Sequence, residues 1–288
     1  MFMKRIKHIS LIIMLVVGSG FLNTSCDKMD GRYLTPFKQS EWTGRRVLLE
    51  DYTGQKCPNC PAGAKIAKDL KDLYGEKLIV VSIHAGWFAK PDNNPPFNTD
   101  YRTVAGTEYD DYFGIGLVGN PNGMVNRTGW KGSHILSPNA WTSKIVSEMN
   151  KAPQVEVEIA KDYTAATRNL SIDVKTTFKT TLQKNLKLLV WITEDSIVSP
   201  QQNNDPNIGT VGVIQDYVHR HMLRGTANST WGTLIANTSV AVPKGTVKNN
   251  NFTYSLPANW KDSNCYIVVF VYDDQNKEVF QANELKIK

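Results

Sequence analysis

Hydrophobic and polar positions follow two rhythms along this chain, and the change falls near residue 151. Upstream, Arg46–Tyr52 is an apolar run that predicts a strand, and Pro61–Tyr74 places Ile66, Leu70, Leu73 and Tyr74 on one helical stripe that stops at Gly75. Leu78–Ile83 is continuously apolar, as a strand with parallel neighbours requires. Strand, helix and strand in that order make one βαβ unit. A Pro- and Asn-rich loop (Pro91–Asn98) and a mixed segment (Thr99–Phe113) lead to Gly119-Asn120-Pro121. Short strands are predicted over Met124–Arg127 and Trp130–Leu136, and Ser137-Pro138 starts a closing helix over Asn139–Met149.

Past Lys151-Ala152-Pro153 the pattern turns to alternation with period two. Leu170, Ile172, Val174, Thr176 and Phe178 are separated by Ser171, Asp173, Lys175 and Thr177, the signature of a half-buried strand. Similar runs occur at Val155–Ile159, Leu186–Ile192, Tyr217–Leu223, Phe252–Leu256, Tyr266–Tyr272 and Val279–Ile287, while Ser199–Asn207 is polar and reads as a surface loop. Short strands joined by Asn, Gly and Pro turns, with no helix among them, predict an immunoglobulin-like β-sandwich. The expected organisation is a signal segment (1–25), a tether (26–40), an α/β domain (41–151) and an all-β sandwich domain (152–288).

The N-terminus changes what the rest can do. Lys4, Arg5 and Lys7 precede an apolar run, Ile9–Val17, that is too short to span a bilayer, and small residues follow up to Cys26. Leu22-Asn23-Thr24-Ser25-Cys26 resembles a bacterial lipobox, which makes Cys26 the expected lipidation site and leaves the protein held to a membrane by a lipid anchor. Half of the net charge of +6 then lies in the signal, and no basic, aromatic-interleaved patch remains downstream, so nucleic acid is not an expected partner. Of the four cysteines, Cys57 and Cys60 form a vicinal pair, and Cys265 stands alone in an apolar run where a buried, inert thiol is expected. No cofactor-binding motif is present.

The vicinal pair carries the candidate chemistry. Val47-Leu48-Leu49-Glu50-Asp51-Tyr52-Thr53-Gly54-Gln55-Lys56-Cys57-Pro58-Asn59-Cys60-Pro61 reads as strand, turn and C-x-x-C at the start of a helix. Free backbone N–H groups and partial positive charge at that end lower a thiol pKa, and only the thiolate attacks disulfides. With Cys57 attacking and Cys60 resolving, the pair predicts thiol–disulfide exchange with exported proteins; as a permanent Cys57–Cys60 disulfide it predicts a structural bond. The order of elements over residues 41–150 resembles the thioredoxin fold. That resemblance implies a cis peptide before Pro121, with Asn120 packed against the disulfide and Pro121 framing a substrate groove. It also gives Asp51, six residues before Cys57, the role of proton acceptor for Cys60. Lys56 stands where that family carries Trp, and there it is expected to stabilise a Cys57 thiolate.

Two further constellations involve histidine. His219 and His221 lie two apart on a predicted strand, so both rings should leave one face, either as metal ligands or as a packing pair. His84 follows the second strand, at the edge where open α/β sheets place their sites; it is expected to tune Cys57 or to be structural, with a zinc site of Cys57, Cys60 and His84 as a lesser alternative. The C-x-x-C segment together with Tyr217-Val218-His219-Arg220-His221-Met222-Leu223-Arg224-Gly225 resembles the outer-membrane-protein-28-related lipoprotein family. The resemblance implies an outer-membrane lipoprotein on the periplasmic or cell-surface face. Two functions are expected on this basis: a membrane-tethered thiol–disulfide oxidoreductase, or a non-catalytic binding or adhesion lipoprotein that takes a surface ligand and keeps a structural disulfide.

Overall fold

Val47–Thr53 forms β1, in which every residue is buried, and Cys60–Tyr74 forms α1, with Asn59 at its N-cap and Pro61 in its first turn. Leu78–His84 is β2, paired in parallel with β1 from Val47↔Leu78 to Thr53↔His84. The βαβ unit is therefore present. The segment Thr99–Phe113 contains α2 (Val104–Phe113), started by the Thr103 side chain accepting from the Gly106 N–H, and a short helix α3 (Ile115–Val118) follows. The Asn120–Pro121 peptide is cis, and β3 (Asn122–Val125) runs antiparallel to β1. Trp130–Leu136 is a turn with a single bridge, Gly123↔Leu136, and no strand; α4 (Pro138–Met149) closes this half. These coordinates are a computed structural model that describes Phe37 and residues 42–288; the signal segment, Cys26 and nearly all of the tether lie outside the described residues.

The second half supplies β4 (Val155–Thr164), β5 (Asn169–Phe178), β6 (Leu186–Glu194), β7 (Ile197–Asn203), β8 (Gly212–His219), β9 (Met222–Thr226), β10 (Thr233–Ala236), β11 (Val247–Ser255), β12 (Cys265–Asp273) and β13 (Val279–Lys286). Their pairing corrects the expected fold class. The chain does not form a thioredoxin-like α/β domain followed by a separate immunoglobulin-like sandwich; one eight-stranded mixed sheet, in the order β13-β12-β6-β9-β2-β1-β3 with β10 beside β6, runs through both halves. The joint is β9. It pairs antiparallel with β6 and meets β2 in parallel at Ser82↔Met222, where the Ser82 N–H also donates to the His221 carbonyl.

Burial explains why the sheet is continuous. In β6, Leu188, Val190 and Ile192 face one core, which β4, β5 and β11 cover as a separate three-stranded sheet. Leu189 and Trp191 face a second core shared with Leu48, Ile79, Val81, Tyr109 and Phe113. A strand apolar on both faces cannot lie at the solvent side of a two-sheet sandwich, so β6 and β12 require cover from both directions. A third core packs Ala67 and Leu70 of α1 and Trp141 and Ile145 of α4 against Val47, Leu49, Leu78 and Val80. Residues 42–288 belong to one compact unit, and α4 gives way to β4 at residues 149–155.

The expected surface loop at Ser199–Asn207 also needs correction. Its first half belongs to β7, with Ser199, Gln201 and Asn203 buried, and β7 pairs with β8 as a hairpin outside the main sheet. A polar strand can be buried when its amides and hydroxyls find backbone partners, and this hairpin lies over the C-x-x-C turn.

Candidate functional site

The parallel β1–β2 pair ends at the N-terminus of α1, and the turn between β1 and α1 is closed by the Cys57 N–H donating to the Gly54 carbonyl at 2.9 Å. Cys57 and Cys60 are joined as a disulfide. Neither is presented to solvent: Cys57 is 0% and Cys60 2% exposed. The cover is β7. Gln201 Nε2 donates to the carbonyls of Cys57 (2.9 Å) and Gly54 (3.2 Å), the Gln202 N–H donates to the Gln55 carbonyl, and the Asn204 N–H donates to the Pro58 carbonyl. The Asn204 amide additionally donates to Oδ1 of Asn59, the residue before α1.

Lys56 does not serve the sulfurs. Its ammonium pairs with Asp92 at 2.6 Å and lies over the Trp87 ring, 5.3 Å from the centroid, so its charge is neutralised away from Cys57. Pro121 sits against α1 at Gly63, where an added Cβ would meet the Pro121 ring at 2.9 Å. That contact leaves no room for any side chain larger than glycine at position 63.

Behind the disulfide is a cavity of about 30 Å³ lined by Asp51, Cys60, Ser82, His84, Tyr217, His219 and their neighbours. Asp51, Thr53, Ser82 and His84 reach it because they lie on the α1-facing side of β1 and β2, where alternate residues share a face. Asp51 is 1% exposed, its Oδ1 has no hydrogen-bond partner, and burial pushes its carboxyl up to about 7. Burial pushes the His84 imidazole well below its ordinary range, with His219 and Arg224 adding to the effect. Burial also lowers His219, to about 4, against the opposing hydrogen bonds to the backbone of Ser199 and Pro200. Tyr217 is pushed up to about 12 by burial and by the nearby Asp51.

His219 and His221 part company. The strand breaks after His219, His221 takes a left-handed backbone conformation (φ 49°), and its N–H donates to Asp195 Oδ1 at 3.1 Å. Strand alternation therefore ends at His219, although both residues line the cavity. His219 meets His84, with ring centres 5.3 Å apart, and both approach Tyr101. This partnership between β2 and the hairpin was not legible, because His84 and His219 lie 135 positions apart and Ser199–Asn207 carries no apolar signal.

The family model described as outer membrane protein Omp28 matches residues 107–288, more than half of the chain. The chain belongs to the Omp28 family. Omp28 membership places it at the outer membrane, and no helix among the described residues is long and apolar enough to cross a membrane. HBP35 of Porphyromonas gingivalis shares the fold, with a TM-score of 0.62 at 19% identity over 86% of this chain and 77% of that one. A crystal structure of an Agrobacterium tumefaciens protein aligns with a TM-score of 0.51 at 12% identity, covering 87% of this chain and 97% of the other. A domain of the outer membrane lipoprotein Omp28 from Porphyromonas gingivalis is 23% identical over 47% of this chain and 89% of its own, with a TM-score of 0.32. No curated protein matches the sequence.

The remaining described cysteine in this Omp28 chain is isolated from the site. Cys265 begins β12, is 0% exposed, and burial pushes its thiol up to about 12, with Glu194 adding to the rise. Native protein is expected to leave Cys265 unmodified by iodoacetamide at pH 8 over hours, whereas urea-unfolded protein should take up one carbamidomethyl group there without reductant. Peptide mass analysis of both samples checks this, and rapid native labelling would contradict the buried placement.

Proposed function

We propose that this protein is a non-catalytic, outer-membrane binding or adhesion lipoprotein, anchored through Cys26, in which the Cys57–Cys60 bond is a structural clasp. The observation that carries this reading is the cover over the disulfide: both half-cystines are buried and Gln201 holds the Cys57 carbonyl from β7. Thiol–disulfide exchange requires an attacking sulfur to reach the bond in line, so a buried disulfide with a neutralised Lys56 beside it is poorly suited to turnover. The bond instead fixes the turn that β7 hydrogen-bonds to. Closing so short a loop contributes about 2 kcal/mol on chain-entropy grounds.

The deciding measurement is the equilibrium of the folded protein with a graded dithiothreitol redox buffer. A structural bond is expected to have a potential below about −300 mV, with no acceleration of insulin reduction. A potential near −200 mV together with insulin reduction that disappears in Cys57→Ser would overturn the reading. Thiol–disulfide exchange with exported proteins is the second reading, and one observation favours it: Asp51, with its carboxyl near 7, lines the same cavity as Cys60, where a resolving thiol would need a proton acceptor. On that reading Cys60→Ser should accumulate mixed disulfides with envelope proteins, and on the first it should accumulate none.

A further inference from the structure

The cavity behind the disulfide gathers more unmatched polar atoms than a packed core tolerates. Both ring nitrogens of His84, Nε2 of His219 and Oδ1 of Asp51 lack hydrogen-bond partners, although these residues are only 2%, 4% and 1% exposed respectively. Leaving such a group unpaired in a protein interior costs about 1–3 kcal/mol each, and here they line one cavity. Its volume of about 30 Å³ has room for an ion and a water molecule or two.

The geometry is specific. The ring centres of His84 and His219 are 5.3 Å apart with planes at 64°. Two imidazoles bound through nitrogen to one tetrahedral ion, at Zn–N distances of about 2 Å, place their ring centres about 5 Å apart. The other nitrogen of His219 is committed, because its ring donates to the backbone of Ser199 and Pro200. That bond leaves Nε2 as the lone-pair nitrogen, the arrangement by which a backbone carbonyl orients a metal-ligating histidine. No three His, Cys, Asp or Glu side chains among the described residues stand together as a complete ligand set, so water has to supply the rest of the coordination.

We propose that this cavity binds one first-row divalent transition-metal ion through Nε2 of His219 and a ring nitrogen of His84, with metal-bound water donating to the Asp51 carboxylate. Imidazole ligands favour Zn²⁺, Cu²⁺, Co²⁺ or Ni²⁺ over Ca²⁺ and Mg²⁺. The disulfide stays intact and supplies no ligand. The site pins β2 to the β7–β8 hairpin, so occupancy would hold the cover over Cys57–Cys60 closed.

The test is a Co²⁺ titration of the full-length protein in detergent, oxidised and freed of metal by a chelator. One Co²⁺ per chain is expected, with visible d–d bands and no thiolate charge-transfer band, and with displacement by Zn²⁺ but not by Mg²⁺. His84→Asn and His219→Asn should each weaken binding at least about tenfold, while His134→Asn, at a separate buried histidine hydrogen-bonded to Phe113, should leave it unchanged. X-ray absorption at the zinc edge of the wild type, which needs no variant to fold, should count two imidazoles and oxygen neighbours. Absence of stoichiometric binding by the folded wild type, a spectrum without imidazole, or full retention of binding in folded His84→Asn would each overturn the proposal. Because the disulfide remains oxidised throughout, these outcomes are independent of its potential.

Discussion

Glu50→Leu is expected to destabilise the folded chain by about 3–5 kcal/mol, because it leaves the Arg127 guanidinium charged in a place where water cannot reach it. Arg127 donates to Glu50 from Nε at 2.7 Å and from Nη2 at 3.0 Å, a bidentate pair in which both side chains are 0% exposed. Burial would lower the guanidinium's pKa, but the Glu50 carboxylate outweighs it and the net shift is upward. Around the charge stand the rings of Tyr109, Phe113, Trp191, Phe270 and Tyr272, at 5.0–5.7 Å from the guanidinium carbon. Those rings come from α2, β6 and β12, so the pair lies where the two halves of the chain share a core. Arg127→Met should cost a similar amount, since it strands the carboxylate instead. The double variant Glu50→Leu/Arg127→Met should recover most of the loss, because two apolar side chains in place of a buried ion pair are often neutral or stabilising. Urea unfolding of the four proteins measures the coupling directly. Single variants that each cost under about 1 kcal/mol, or a double variant no better than their sum, would show that the pair is not what holds this region.

Glu50 illustrates what could and could not be read from the chain. Its neighbours Val47, Leu48, Leu49 and Tyr52 announce a buried strand, and β1, α1, β2, α4, β5 and β12 all occur close to where periodicity puts them. Local rules are enough for that. A charged residue inside such a strand announces a partner as well, yet nothing identifies Arg127, which reads only as the end of a short strand. Pairing between distant strands was illegible for the same reason: β9 joins β2 to β6 through a single parallel contact that leaves no pattern in Met222–Thr226. A stronger clue was present in Leu188-Leu189-Val190-Trp191-Ile192 and Ile267–Tyr272, which are apolar without alternation. Strands of that kind are covered on both faces, which points to one shared sheet rather than a separate sandwich. At the site, spacing correctly brought Cys57 and Cys60 together as a disulfide. It had no means of foreseeing that a polar hairpin would seal it, because burial of Gln201 depends on carbonyls of the turn 144–147 residues earlier.

Asp51→Asn is expected to stabilise the protein, by an amount that grows with pH. The carboxyl titrates near 7 when folded and near 3.9 when unfolded, so between those values the folded state holds the extra proton. A raised carboxyl pKa means that stability is lost as pH rises through this window, with the full penalty present above about 7. At roughly 1.4 kcal/mol per pKa unit, the penalty reaches about 4 kcal/mol at pH 8. Asparagine keeps the shape and cannot ionise, so its contribution should be flat across the range. Unfolding by urea from pH 4.5 to 8, with chelator present, should give wild-type and Asp51→Asn curves that nearly coincide at the acid end, diverge between pH 5 and 7 and run parallel above. Curves parallel throughout would mean that Asp51 ionises like an exposed carboxylate and that the cavity admits bulk water. The same variant bears on the disulfide. If Asp51 only costs stability, Asp51→Asn should unfold at higher urea and reduce at an unchanged rate by dithiothreitol; if it accepts the proton of Cys60, the more stable variant should exchange more slowly, a separation of stability from reactivity that a merely structural change would not produce.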